Sequence, residues 1–120
     1  MLISSKWGGI EQCYGLTKDN SSNKYMLVMA KCGYSLESYL ENEGTNLDFL
    51  ERLKIIFEII KGLFRIHSEN FVHGKINTEN VLYLEHKNDW YLSLNAVDSS
   101  DSKKYDIYGF GLIVEKLFFM

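Results

Sequence analysis

The amino-acid sequence predicts an α+β fold in which helix dominates. Two β-prone runs, Gln12 to Leu16 and Lys24 to Met29, flank the turn-rich connector TKDNSSN, a pattern typical of a β-hairpin. Beyond them, long segments repeat apolar residues at spacings of three and four, which is the period of a helix. The predicted order is β-hairpin, short helix, long helix, loop, β-hairpin and long helix.

The short helix comes first among the helices. In SLESYLENEG, Ser35 is a good N-cap and Gly44 ends the segment. The long helix LDFLERLKIIFEIIKGLFRIHSEN follows, with Asn46 or Asp48 as its N-cap and Asn70 at its end. Its apolar residues predict one buried face, formed by Leu50, Leu53, Ile56, Phe57, Ile60, Leu63 and Phe64. Ile55, Ile59 and Ile66 widen that face, so we expect a helix that lies inside the domain.

The second half of the chain supplies another hairpin and the last helix. VLYLE and WYLSL are predicted strands, and NAVDSSDSKK is a polar link. DIYGFGLIVEKLFFM is a very apolar helix with Asp106 near its start. Gly109 and Gly111 each cost such a helix about 1 kcal/mol relative to Ala. We therefore expect them to permit close packing against a neighbour.

Composition bounds the classes of function. The 120 residues, 46% hydrophobic and 24% charged, predict one small globular domain over residues 1–120. The net charge of −3 and the absence of a basic run indicate no nucleic-acid partner and no membrane partner. Cys13 and Cys32 form no ligand cluster with the three histidines, which argues against zinc. With no signal-peptide pattern or 18-residue apolar run, we predict a cytoplasmic protein with reduced thiols.

Four segments, in this order, resemble the eukaryotic-type protein kinase domain. IEQCYGLTKD and NKYMLVMAKCG are similar to the last small-lobe strands and the hinge, and CGYSLESYL to the helix after it. IHSENFVHGKINTEN resembles the catalytic loop L-H-x-x-x-I-V-H-R-D-L-K-P-E-N, and DIYGFGLIVEKL the central large-lobe helix. The resemblance runs from about Ile10 to Met120. It implies a partial kinase fold, with a small-lobe hairpin and hinge at 10–34 and a partial large lobe at 35–120.

The catalytic loop departs from the family pattern where the chemistry is done. His73 and Asn80 match the family, but Gly74 replaces the arginine and Lys75 replaces the aspartate. That aspartate accepts the proton of the substrate hydroxyl. A protonated lysine has no lone pair with which to accept a proton. We therefore predict no catalytic residue, only a degenerate loop of His73, Lys75 and Asn80.

These loop residues also have plainer interpretations. His73 is most simply a packed loop histidine. Lys75 is a solvated lysine, or a point charge that attracts a phosphate. Asn80 is a loop hydrogen-bonder, with weak metal binding as the alternative.

The resemblance implies an adenine pocket formed by Met29, Ala30, Cys32 and Leu82; the plainer interpretation is a strand end, a connector and a core leucine. Leu94-Asn95-Ala96 falls where the family has D-F-G, and a leucine cannot bind Mg²⁺. No G-x-G-x-x-G is present either. We therefore expect no cofactor and no metal, with ATP and Mg²⁺ implied by the resemblance alone.

Three functions remain open at this point. The first is an interaction module that has lost phosphoryl transfer, the second a truncated kinase gene product without function, and the third an active protein kinase. In a kinase, later helices surround the helix DIYGFG. We therefore predict an uncovered apolar patch and self-association or a protein partner, through Ile107, Leu112, Ile113, Leu117 and Phe118.

Overall fold

In a computed structural model of the protein, the first hairpin forms as the sequence predicts. The structure describes residues 10–11, 13–30, 32–85, 87–93, 97–98 and 103–119. Strand β1 (Cys13–Asp19) pairs antiparallel with β2 (Lys24–Met29). The turn between them is closed by Asp19, whose side chain accepts hydrogen bonds from Ser21 and Ser22. Apolar side chains on both strands are exposed, among them Leu16 and Tyr25.

Two helices follow, and a side chain caps each of them. In α1 (Leu36–Glu43), the Ser35 hydroxyl accepts from the N–H of Ser38. In α2 (Phe49–Ser68), the Asp48 carboxylate accepts from the N–H of Glu51 at 2.8 Å. Asp48, not Asn46, is thus the N-cap of the long helix. A 3₁₀ turn, Gly44–Asn46, joins the two helices.

The buried face of α2 differs from the predicted one. The helix buries Ile55, Ile59, Leu63 and Ile66, together with Glu58 and Gly62. A second apolar stripe is exposed, consisting of Phe49, Leu50, Leu53, Phe57, Ile60 and Phe64. The prediction that this helix lies inside the domain was therefore wrong for most of the face that the spacing had favoured, although Leu63 of that face is buried. The helix has two apolar stripes, and their period is the same, so periodicity cannot select the buried one.

Short strands complete the sheets. Strand β5 (Val81–Leu84) pairs with β6 (Asp89–Leu92), as predicted, and on its other edge with β3 (Tyr34–Ser35). Strand β4 (Phe71–Val72) pairs with β7 (Val97–Asp98). The sequence indicated none of β3, β4 and β7, because two-residue strands have no period to detect.

The last helix, α3 (Lys103–Phe119), packs antiparallel on α2. At one end His67 contacts Asp106, and at the other the rings of Phe49 and Phe118 lie 5.8 Å apart. Ile113 and Leu117 are buried in the core with Leu36, Ile59 and Leu92, while other apolar side chains of α3 are exposed.

The predicted patch on α3 is thus partly wrong. Ile107 and Leu112 are exposed and Phe118 is half-buried, but Ile113 and Leu117 are covered. Among the described helices, none combines the length and apolar character that crossing a bilayer requires.

Candidate functional site

The segment between β4 and β5 carries the predicted catalytic loop, and a carboxylate of α3 holds its backbone. Asp106 is 1% exposed. It accepts hydrogen bonds from the N–H of His73 at 2.7 Å and of Gly74 at 2.8 Å. His67 Nε2 lies 2.8 Å from the same carboxylate. Hydrogen bonds to a charged acceptor are the stronger kind, so Asp106 fixes the start of the loop against the end of α2.

His73 occupies a packed position inside the loop. Its side chain is fully buried, with Nε2 2.9 Å from the carbonyl oxygen of Ser93. Its Nδ1 accepts from the N–H of Lys75 at 3.2 Å. Burial lowers the pKa of the imidazole, because desolvation penalises the charged form. The ring is therefore neutral, and both of its nitrogens have hydrogen-bond partners. This agrees with the interpretation of His73 as a packed loop histidine.

Lys75 and Asn80 lie on one turn of the loop. The side chain of Lys75 is exposed. The amide nitrogen of Asn80 donates to the backbone carbonyl of Lys75 at 2.8 Å, and the backbone carbonyl of Asn80 accepts from the N–H of Ser93 at 2.9 Å. The structure thus brings the three residues of the predicted degenerate loop together, with an ammonium at the position of the family's carboxylate.

The described residues around Asn80 supply few of the oxygen ligands that a magnesium ion requires. Magnesium demands several oxygen ligands, usually including a carboxylate. Asn80 offers one amide oxygen, and the neighbouring Lys75 brings a positive charge. No group of three His, Cys, Asp or Glu side chains in the described parts of the chain is placed to hold a metal. Residues 94–96, predicted at the D-F-G position, lie outside the described residues.

Two residues that sequence reasoning gave no role shape the loop, and one of them, Thr78, ties it to α1. The Asn77 carboxamide oxygen accepts from the N–H groups of Glu79 and Asn80, and caps a 3₁₀ turn, Thr78–Asn80. The buried hydroxyl of Thr78 donates to Glu37 in α1. That hydrogen bond lowers the pKa of Glu37. The N-cap residue type at Asn77 was the signal that could have revealed this turn.

The residues of the predicted adenine pocket lie on two segments, with Leu82 on β5 and the others before β3. The N–H of Gly33 donates to the carbonyl of Tyr83 at 2.8 Å, and Ser35 pairs with Leu82. Cys32 is therefore beside the strand of Leu82. Its thiol has a pKa raised by burial first and by Glu11 second, so it stays protonated at neutral pH.

Met29 is half-buried at the end of β2, and Ala30 is buried directly after it. Adenine binding by these residues and by Leu82 stays a prediction.

Comparisons of the sequence with known proteins identify a family and several relatives. A sequence model of the family described as protein tyrosine and serine/threonine kinase matches residues 1–112. Retinal guanylyl cyclase 2 of Homo sapiens is 29% identical over 97 residues, which are 80% of this chain and 8% of that protein. EKC/KEOPS complex subunit BUD32 of Enterocytozoon bieneusi is 31% identical over 100 residues, 75% of this chain and 49% of the subunit.

A third relative, guanylate cyclase D of Mus musculus, is 33% identical over 55 residues, 45% of this chain and 5% of that protein. The chain thus spans half or less of the length of each of these relatives, and a small fraction of the cyclases.

Proposed function

This chain belongs to the protein tyrosine and serine/threonine kinase family, and we propose that it is a kinase-like domain that has lost phosphoryl transfer and acts as a protein-interaction module. The observation that carries the proposal is Lys75, an exposed lysine at the position of the catalytic aspartate. Asp106 and Asn80 still hold the loop around it. The scaffold of the site is present, and the proton acceptor is replaced by a cation.

The nearby carboxylate offers no substitute base. Asp106 is 1% exposed and faces two backbone N–H groups and His67. A general base must reach the proton that it abstracts, directly or through one water molecule. Loss of a general base costs about 10²–10⁴ in rate, and the poor fit to magnesium removes a second contribution to the reaction.

The relatives are compatible with a role in assembly. One is named as a subunit of a complex, and two are named as cyclases in which the matching region is 8% or less of the protein. A kinase-like segment in a complex or in a much longer protein has other subunits or other parts of the same chain to contact. These relatives support the proposal of an interaction role for this chain.

Phosphoryl transfer from γ-labelled ATP, with Mg²⁺, tests the loss of catalysis. We expect no label on the chain itself or on a generic peptide substrate, for the wild type and for Lys75→Ala alike. Label transferred by the wild type and lost in Lys75→Ala would overturn the proposal.

A thermal shift with ATP, with and without Mg²⁺, tests the metal separately. Saturating binding at a hundredfold excess over Kd stabilises a protein by about 2.7 kcal/mol. We expect no Mg²⁺-dependent increase in Tm. A clear Mg²⁺-dependent increase would contradict the argument from Lys75 and Asn80 and restore a nucleotide-dependent function.

A further inference from the structure

Four aromatic side chains from four different parts of the chain form one group on the side of the domain formed by β5, β6 and α1. The ring of Tyr34 stacks on those of Tyr83 and Tyr39, with centroids 5.0 and 5.6 Å apart. Trp90 meets all three rings edge-on, at 5.2 to 5.8 Å. Trp90 is buried, whereas the three tyrosines are half-exposed.

This aromatic group lines a cavity of about 230 Å³ that also contains two carboxylates. Glu51, in the first turn of α2, and Asp89, at the start of β6, share the cavity with the four rings. Aromatic faces carry negative partial charge and attract cations. Ring faces and carboxylates together make a site for a cation with an apolar body.

The surrounding charges favour a cation as well. Burial raises the pKa of Tyr39 first, and the negative charges of Glu51 and Glu43 raise it further. The pKa of Tyr34 is raised by burial, by Tyr83 and Tyr39, and then by Glu85. Burial is the main cause of both shifts, and the nearby carboxylates contribute in the same direction. Those carboxylates would also stabilise a bound positive charge.

A second hollow of about 320 Å³ continues on the other side of Tyr34 and Tyr39. It is lined also by Ser38, Asn42 and Glu43. The two hollows share the rings of Tyr34 and Tyr39. Such a pair of hollows suits an extended peptide with neighbouring side chains better than a single small ion.

The aromatic cavity is separate from the degenerate loop. Leu82 and Tyr83 are consecutive residues of β5, and successive side chains of a strand point to opposite faces. Tyr83 contributes to the aromatic cavity, so Leu82, which matches the adenine pocket of the family, lies on the other face.

We propose that the aromatic cavity binds an arginine side chain of a partner peptide. A guanidinium is planar, stacks on aromatic rings and donates paired hydrogen bonds to carboxylates such as those of Glu51 and Asp89. An ammonium is a more strongly hydrated point charge and matches the rings less well. The proposal rests on the interaction role proposed above and names the chemistry of the partner.

Lys54 lines the same cavity and supplies a positive charge at its edge. That charge repels an incoming guanidinium. Replacing Lys54 by a neutral residue of similar length should therefore tighten binding, whereas removing a carboxylate should weaken it.

The test is an NMR titration of the ¹⁵N-labelled full chain with N-acetyl-arginine methylamide. Its matched control is N-acetyl-citrulline methylamide, which has the same shape and no charge. We expect a saturable shift of the Trp90 indole N–H signal with the arginine compound, and at least tenfold weaker binding of the citrulline compound. No saturable shift, or equal affinity for both compounds, would overturn the site.

Variants locate the binding. Glu51→Gln should weaken binding of the arginine compound at least threefold, and Lys54→Met should tighten it. Glu115→Gln, which removes the same charge from the exposed side of α3, should leave it unchanged. If Glu51→Gln and Glu115→Gln weakened binding of the arginine compound equally, the change in net charge would explain the result. That outcome would contradict the site. The NMR titration does not report phosphoryl transfer. Its outcome can therefore contradict the arginine site without contradicting the proposed loss of catalysis, and the reverse also holds.

Discussion

Gly109 of α3 lies against the backbone carbonyl of Ile76 in the loop. A Cβ atom added to Gly109 would lie 2.5 Å from that oxygen and 3.0 Å from the Cβ of Ile76. Real Cβ atoms do not approach a backbone oxygen so closely, so α3 meets the loop at this point only because residue 109 has no side chain. The prediction of close packing is confirmed for Gly109 and wrong for Gly111, where no described residue comes within 4 Å of an added Cβ atom.

The two glycines therefore make a matched pair for stability. Gly109→Ala should lower the free energy of unfolding by about 1–3 kcal/mol, because the loop must shift to accommodate the methyl group. Gly111→Ala should raise it by about 0.5–1 kcal/mol, since Ala is the better helix former. Urea denaturation followed by circular dichroism measures both. Equal effects would show that the contact with Ile76 is not rigid.

Asp106→Asn should loosen the loop while leaving the shape of the side chain almost unchanged. The substitution removes the charge that strengthens the bonds from His73 and Gly74. We expect a loss of about 1.5–3 kcal/mol, the usual contribution of hydrogen bonds to charged groups. Hydrogen exchange should accelerate at the amides of His73 and Gly74. Glu115→Gln is the control, and similar exchange in both variants would contradict the anchoring role.

Stability should fall as the pH drops below about 6.5, the ordinary pKa of histidine. The pKa of His73 is lowered in the folded state by burial, so below pH 6.5 the unfolded chain binds a proton that the folded chain does not. The unfolding free energy then decreases by up to about 1.4 kcal/mol per pH unit until the pH reaches the folded pKa.

His73→Gln should flatten this dependence between pH 7 and 5. The pKa values of Glu37 and Asp19 are lowered by hydrogen bonds. Protonation of these two carboxylates therefore destabilises the fold only at more acidic pH. An unchanged slope in the variant would rule out His73 as its origin.

Arg52 should contribute far more to stability than Arg65 on the same helix. The guanidinium of Arg52 donates to the backbone carbonyls of Gly44 and Leu47, and to that of Leu117 at the end of α3. Arg65 forms an exposed pair with Glu69 at 3.6 Å. Arg52→Lys should cost about 1–3 kcal/mol, because a single ammonium cannot reach the same set of acceptors. Arg65→Lys should cost less than about 0.5 kcal/mol, and thermal denaturation distinguishes the two.

We further propose that the chain self-associates through the exposed apolar stripe of α2. Phe57 and Phe64 are 61% and 73% exposed, and an exposed patch of this kind marks an interaction surface. Phe57→Ser combined with Phe64→Ser should shift sedimentation velocity toward the monomer. Ile107→Ser with Leu112→Ser, on α3, should have a smaller effect. A larger effect of the α3 variant than of the α2 variant would assign association to α3. A monomeric wild type would contradict self-association itself.

Local sequence signals predicted the helices and the longer strands well. The sequence did not show which apolar side chains the tertiary fold would bury. Ser35 and Asp48 cap helices because their side chains act within three residues, a range that sequence reasoning covers. The exposed stripe of α2 could not be separated from the buried one, since both have helical spacing.

The aromatic cavity was invisible for a different reason. Tyr34 and Tyr39 lie in the segment CGYSLESYL, and Tyr83 and Trp90 on the two strands of a hairpin. No sequence pattern shows that the fold brings these four rings together. For the loop of His73, Lys75 and Asn80, in contrast, the family pattern fixes the spacing, so the sequence alone singles out these three residues.

The bond between Asp106 and the His73 amide also orders events during synthesis. The acceptor follows the donor by 33 positions, so at about 5–20 residues per second the ribosome delivers it roughly 2–7 s later. During that interval the nascent loop has no carboxylate to hold it. We expect protease resistance around residue 74 to appear only once α3 has emerged from the ribosome.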